Sequence, residues 1–183
     1  MILVMLLLNA LVDKALEYGF SYAAILDAAT LNPRKEVFDM CADNRCGNYN
    51  KSWMCPPASG NPEQNLAKLS AFSKGIIVQT TGKLDDDFDY EGMKAASDKH
   101  MQLFNGIVEI IKRDYPHALF LGSGGCKLCE SCTYPDLPCR YPELAFPSME
   151  AFGLIVSDVC TANGAKYYYG PQTITYTGCI LIA

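Results

Sequence analysis

Apolar positions recur along the chain at two periods, and the alternation between them lays out the fold. From Leu6 to Tyr18 the spacing is helical, with Leu8, Leu11, Val12, Ala15 and Leu16 on one side and Gly19 as a stop. Phe20 to Leu26 is a short apolar run that predicts a strand, broken by Asn32-Pro33. Asn61-Pro62-Glu63 then marks a helix start: Asn caps, Pro fits the first turn and Glu favours the helix dipole. Leu66, Leu69 and Phe72 give that helix its apolar stripe, and Gly75 to Thr80 predicts a strand. Asp85, Asp86, Asp87 and Asp89 lead into a long helix whose face carries Tyr90, Met93, Met101, Phe104, Val108 and Ile111, and Pro116 closes it. Ala118 to Leu121 predicts another strand. Pro147-Ser148-Met149-Glu150 predicts the start of a helical stretch reaching Asn163-Gly164, and Gln172 to Ile182 predicts a final strand.

This order predicts an α/β (or α+β) fold: a single layered domain over 1–183, with a central sheet of about four to five strands and helices packed on it. Two loops rich in cysteine, 40–60 and 122–147, fall at strand ends. Half of the 183 residues are apolar, so a core forms without cross-links and the nine cysteines are not needed as staples. The net charge of -5 comes with scattered basic residues, which argues against a nucleic-acid partner. The apolar run from Met1 to Leu8 continues to Val12 past Asn9. It is too short to span a bilayer, lacks the positive flank of a signal peptide, and is expected to be a buried strand or helix start. Free thiols in this number fit a cytoplasmic, reducing compartment.

Seven of the cysteines form two sets. Cys126, Cys129, Cys132 and Cys139 follow a C-x2-C-x2-C-x6-C pattern, and Cys41, Cys46 and Cys55 a C-x4-C-x8-C pattern ending in Pro56-Pro57. Thiols at i, i+3 and i+6 reach three corners of an iron–sulfur cube from one loop, as in bacterial ferredoxin runs, whereas zinc sites favour two separated pairs. The expected cofactor is therefore a 4Fe–4S cluster, one or two per chain, with zinc as the alternative. Gly122, Gly124 and Gly125 precede Cys126 and let backbone N–H groups approach sulfur. The stretch lacks the spacing of a phosphate loop.

Cys41, Cys46 and Cys55 are three ligands. The fourth position is filled by Cys139, Cys160, Cys179, His100 or His117, or stays open to water or substrate, as catalytic metals require. A crossover in which Cys139 joins the first set, and a single shared cluster, remain alternatives. Trp53 is a lid over the metal or a core anchor.

These motifs carry a resemblance. Cys41-x4-Cys46-Gly-Asn-Tyr-x3-Trp53-x-Cys55-Pro-Pro, the Gly-Ser-Gly-Gly-Cys126 run, Pro-Cys139-Arg-Tyr-Pro-Glu143 and Pro-Ser148-Met-Glu-Ala-Phe-Gly153 together resemble a family of predicted metal-binding proteins of unknown function, found mainly in anaerobic bacteria and archaea. The likeness runs from about Glu17 to the C-terminus. It implies cysteine-bound metal, with the seven motif cysteines as ligands, and no established reaction. Asn50 is a departure, since a glycine is expected near Tyr49. A weaker likeness to the cluster loops of corrinoid-dependent reductases is analogy only.

The remaining candidates have ordinary readings. Cys160 and Cys179 lie in apolar patterns and are expected as core thiols. His100 and His117 are expected to be surface or satisfied histidines. Arg140 stabilises an anionic cluster, holds a carboxylate substrate, or pairs with Glu143 at the surface. Ser148 and Glu150 are expected to start a helix. The Asp85–Asp89 run lacks the glycine and glutamate of a calcium loop, and no Ser–His–Asp arrangement is visible. The expected function is electron transfer to a redox enzyme partner. An enzyme with an open three-cysteine site and a zinc module for structure or metal delivery are the rivals.

Overall fold

The computed structural model describes residues 2–182; Met1, at the head of the N-terminal apolar run, lies outside them. The elements in chain order are α1 (Ile2–Tyr18), β1 (Tyr22–Asp27), a 3-10 turn (Ala28–Thr30), α2 (Lys35–Ala42), α3 (Pro62–Leu69), β2 (Lys74–Lys83), α4 (Tyr90–Asp114), β3 (Leu119–Leu121), α5 (Val156–Ala162) and β4 (Thr173–Ile182). The four strands pair in the order β1-β2-β4-β3, all antiparallel. The fold is α+β, one of the two forms that the pattern allowed.

The central strands β2 and β4 bury side chains on both faces. Ile76, Val78, Ile180 and Ile182 point to one layer, where Leu8, Leu11 and Ala15 of α1 and Phe104, Ile107, Val108 and Ile111 of α4 pack on them. Ile77, Cys179 and Leu181 point to the other, against Leu69 of α3, Val159 and Cys160 of α5, and the loop residues Met149, Phe152 and Leu154. Period-2 alternation thus places every second residue in a different core.

Local chemistry sets the helix ends. Asn61 caps α3 reciprocally with Gln64, each side chain meeting the other's backbone N–H at 2.9 and 3.1 Å. Asp89 caps α4 through the Gly92 N–H at 2.8 Å. Gly19 ends α1 at φ 117°.

Two expectations need correction. The N-terminal run is a helix start, as one of its two readings had it, but it is not buried. Leu3, Val4, Met5, Leu6 and Leu7 are exposed, because α1 meets the sheet only from Leu8 onward. The stretch from Pro147 to Gly164 is also not one helix. Ser148 to Phe152 makes a single turn, closed by Gly153 N–H to the Glu150 carbonyl (2.9 Å) and Leu154 N–H to the Met149 carbonyl (3.0 Å). That paired closure, with Gly153 at φ 86°, is a helix-terminating motif. A Cβ at residue 153 would also collide with the Phe38 ring. Helix resumes only at α5, and Gly164 follows its end at φ 70° as expected.

His100 of α4 is 2% exposed and only half satisfied. Its Nδ1 lies 2.9 Å from Thr80 Oγ1, its Nε2 has no partner among the described residues, and the rings of Phe20, Phe104 and Tyr176 surround it. Burial lowers its pKa from 6.5 to about 4. The folded state therefore prefers the neutral ring. Its contribution to stability is fully present above pH 6.5 and is lost as pH falls towards 4. The displacement corresponds to about 3 kcal/mol. Urea melts at pH 7 and pH 4.5 should show a large part of that loss in the natural chain and a much flatter response in His100→Phe. An equal pH slope in the two proteins would show that His100 is not its source.

Candidate metal centre

The first cysteine loop leaves the end of α2, which carries Cys41 in its last turn. It is shaped by three residues in the left-handed region: Asn44 (φ 53°), Gly47 (φ 77°) and Asn50 (φ 55°). Asn44 Oδ1 accepts from Tyr49 N–H at 3.0 Å, and Asn50 N–H donates to the Pro56 carbonyl at 2.9 Å. Asn50 is the position where the sequence lacks an expected glycine. Asparagine is among the few other residues that accept this conformation, so the turn survives the departure.

The second loop is an excursion from the end of β3 that returns to its own start. Gly122 N–H donates to the Pro147 carbonyl and Met149 N–H to the Gly122 carbonyl, each at 2.9 Å. Gly124 takes φ 72°, which a side chain would resist.

The structure clamps the two loops together. Trp53 Nε1 donates to the Leu137 carbonyl at 3.0 Å, and Tyr134 Oη to Asn50 Oδ1 at 3.0 Å. The Trp53 and Tyr134 rings meet edge-on at 4.9 Å. Trp53 is thus half-buried and joins one loop to the other; it is not a core anchor, and it stands beside Cys132 and Cys139.

Cys41, Cys46 and Cys55 line one open cavity of about 180 Å³, with Asn48, Tyr49, Gly124, Gly125 and Glu150 among its other walls. Burial, then the neighbouring Cys46 and then Glu150, push the Cys41 thiol above its ordinary pKa. Burial and then Cys46, with smaller contributions from Cys41 and Cys126, push the Cys55 thiol up to about 11, against a favourable contact from Ser52. Cys126 also sits high, through burial and the nearby Cys139, Cys129 and Cys132, although the Leu128 N–H opposes this. Cys132 differs. Burial raises it, but the N–H groups of Tyr134, Trp53 and Thr133 and the Ser52 hydroxyl outweigh burial and hold the thiol below its ordinary value. Ser52 and Trp53 come from the first loop, so each set of thiols is shaped by the other.

Among the described residues no three His, Cys, Asp or Glu side chains close on one point that would hold a single ion. The donor set nonetheless fits a thiophilic metal in kind: three thiols wall one cavity and four more neighbour one another. Thiols held high by burial and mutual repulsion give up their protons to a bound cation.

Of the residues weighed as a fourth partner for the first set, none but Cys139 stands near the thiols, and it neighbours Cys126. Cys160 and Cys179 are fully buried core thiols, and burial raises Cys179 to about 12. His100 lies in the opposite layer and His117 is exposed at the start of β3. Arg140 does not pair with Glu143. Its Nη1 donates to the Ser131 carbonyl at 2.7 Å, while Glu143 pairs with Lys112 at 2.6 Å. The sequence pattern reads Glu150 as part of a helix start; its place on the cavity wall depends on the turn that replaces the expected helix. The signal available was its position inside the Pro147–Gly153 motif.

That motif is the hub of the site. Met149 and Phe152 are anchored in the core, and Ser148 Oγ accepts from Ala151 N–H at 3.0 Å. The Ala151 carbonyl accepts from Ser59 Oγ of the first loop at 3.0 Å, and the Gly153 carbonyl from Arg34 N–H at 2.7 Å.

A family model described as predicted metal-binding protein (DUF2284) matches residues 24–182, nearly the whole described chain. No curated protein and no solved structure matches the chain. The chain belongs to this predicted metal-binding family.

Proposed function

We propose that this member of the predicted metal-binding family is an iron–sulfur protein that passes electrons to a redox enzyme in an oxygen-poor cytoplasm. In this reading Cys126, Cys129, Cys132 and Cys139 hold one 4Fe–4S cluster, and Cys41, Cys46 and Cys55 hold a second metal centre. The observation that carries it is the juxtaposition of the two thiol sets, with Cys126 beside Cys55, and Ser52 facing both Cys55 and Cys132.

When bound, such clusters supply one-electron transfer at a potential set by hydrogen bonding and solvent exposure at sulfur. The chain's own residues tune that environment. The N–H groups of Trp53, Thr133 and Tyr134 stabilise negative charge on Cys132. Cys46 is exposed, which leaves an edge of the first set open to a partner.

An enzyme with an open metal position at the three-cysteine set is the second reading. The open cavity beside Cys41, Cys46 and Cys55 favours it, since no further cysteine or histidine of those weighed lines that space.

Spectroscopy of anaerobically purified protein tests the proposal. A brown chain with broad absorption at about 400 nm, reduced reversibly by dithionite and bleached by air, is expected. A colourless chain that binds zinc without sulfide would refute it.

A further inference from the structure

We propose that the Glu150 carboxylate is the fourth, exchangeable ligand of the metal centre held by Cys41, Cys46 and Cys55. The inference rests on the reading above and names what completes its three-cysteine site.

Three features of the structure support this. Glu150 lines the same cavity as the three thiols and carries the only carboxylate on that wall among the described residues, beside the amide of Asn48 and the hydroxyls of Tyr49 and Ser148. Ser148 is already engaged by the Ala151 N–H. The carboxylate of Glu150 makes no hydrogen bond or ion pair among the described residues, so its oxygens are free to bind. Finally, the backbone beneath it is fixed. Met149 and Phe152 on either side are at most 1% exposed, and the turn is closed at Gly153. A carboxylate held on a rigid turn, lining one cavity with three thiols and close enough to Cys41 for its charge to act there, is positioned as a ligand, in the way that supported sites require.

A carboxylate oxygen is a harder donor than a thiolate. At an iron otherwise held by sulfur it is the ligand most readily displaced. Glu150 therefore keeps one coordination position available to a soft incoming ligand such as a small thiol, while protecting it otherwise.

The test compares the natural chain, Glu150→Gln and Glu150→Cys, each reconstituted anaerobically with iron and sulfide. Glu150 is exposed, so both variants should retain the near-UV circular dichroism of the fold. The readouts are iron release to a chelator and the low-temperature electron paramagnetic resonance spectrum of the reduced protein, with and without 2-mercaptoethanol. In Glu150→Gln, one kinetic class of iron should leave roughly tenfold faster or more, and the class assigned to the four-cysteine set should be unchanged. In the natural chain added thiol should shift one signal only. Glu150→Cys should hold its iron longer and ignore the thiol. Equal release rates and equal thiol responses in all three proteins would overturn the assignment of Glu150. If Cys55→Ser removes no iron from the natural chain, the three-cysteine centre itself is absent, and the proposed function fails at that set together with this inference.

Discussion

Replacing Phe104 by alanine should destabilise the protein by about 4 kcal/mol, the middle of the range for a buried aromatic. Phe104 is 1% exposed on α4, and its ring lies 5.8 Å from His100 and 5.0 Å from Phe146. It also fills the space above β4, where Gly178 is bare: a Cβ there would meet the Phe104 ring at 2.5 Å. Truncation therefore opens a cavity that the neighbouring backbone is poorly placed to refill. The effect should also reach the second cysteine loop, because Phe146 packs over Gly122 at the point where the loop begins and returns. Urea denaturation, with the slope checked for unchanged cooperativity, measures the cost. Phe104→Leu should lose less than half as much. A loss below about 1 kcal/mol for the alanine variant would mean that this layer of the core is far more plastic than its packing indicates.

Cys132→Ser should abolish the four-cysteine centre while leaving the fold intact. The sheet and both apolar layers lie away from Cys132, so unfolding in the absence of metal should change little. The consequence for metal should be large. The surroundings of Cys132 favour its deprotonation, with three N–H groups and the Ser52 hydroxyl facing it. A serine hydroxyl in the same place is a hard donor and a much weaker acid, and it replaces a thiolate on iron poorly. Roughly four irons per chain should be lost. The centre at Cys41, Cys46 and Cys55 should survive with a shifted signal, because Ser52 also faces Cys55. Full retention of iron in Cys132→Ser would remove this cysteine from the ligand set.

The sequence was informative where one local rule governs an element. Asn61-Pro62 and Asp89 start helices because capping is local chemistry, and the apolar runs of β2 and β4 are strands as read. Those same runs could not distinguish α/β from α+β. A strand covered on both faces is apolar throughout whether its neighbours are parallel or antiparallel. The Pro147–Gly164 stretch misled because helical periodicity continues across Gly153, where only the contact with Phe38 and the positive φ show the break. The N-terminal run misled in the opposite sense, since apolar character does not say which residues find a partner. At the site, spacing alone separated the cysteines into two sets. It could not show that Trp53, Tyr134 and Ser52 bind the two loops into one unit, or that Glu150 lines the cavity of Cys41, Cys46 and Cys55, because those contacts join distant segments.

Whether the seven loop cysteines hold iron and sulfide is read most directly from anaerobically purified protein, by quantitation of iron, acid-labile sulfide and zinc per chain. About eight irons with about eight sulfides and no stoichiometric zinc are expected. Zinc bound without sulfide would contradict this, and would make the paired loops a structural or hydrolytic metal site instead of a redox one.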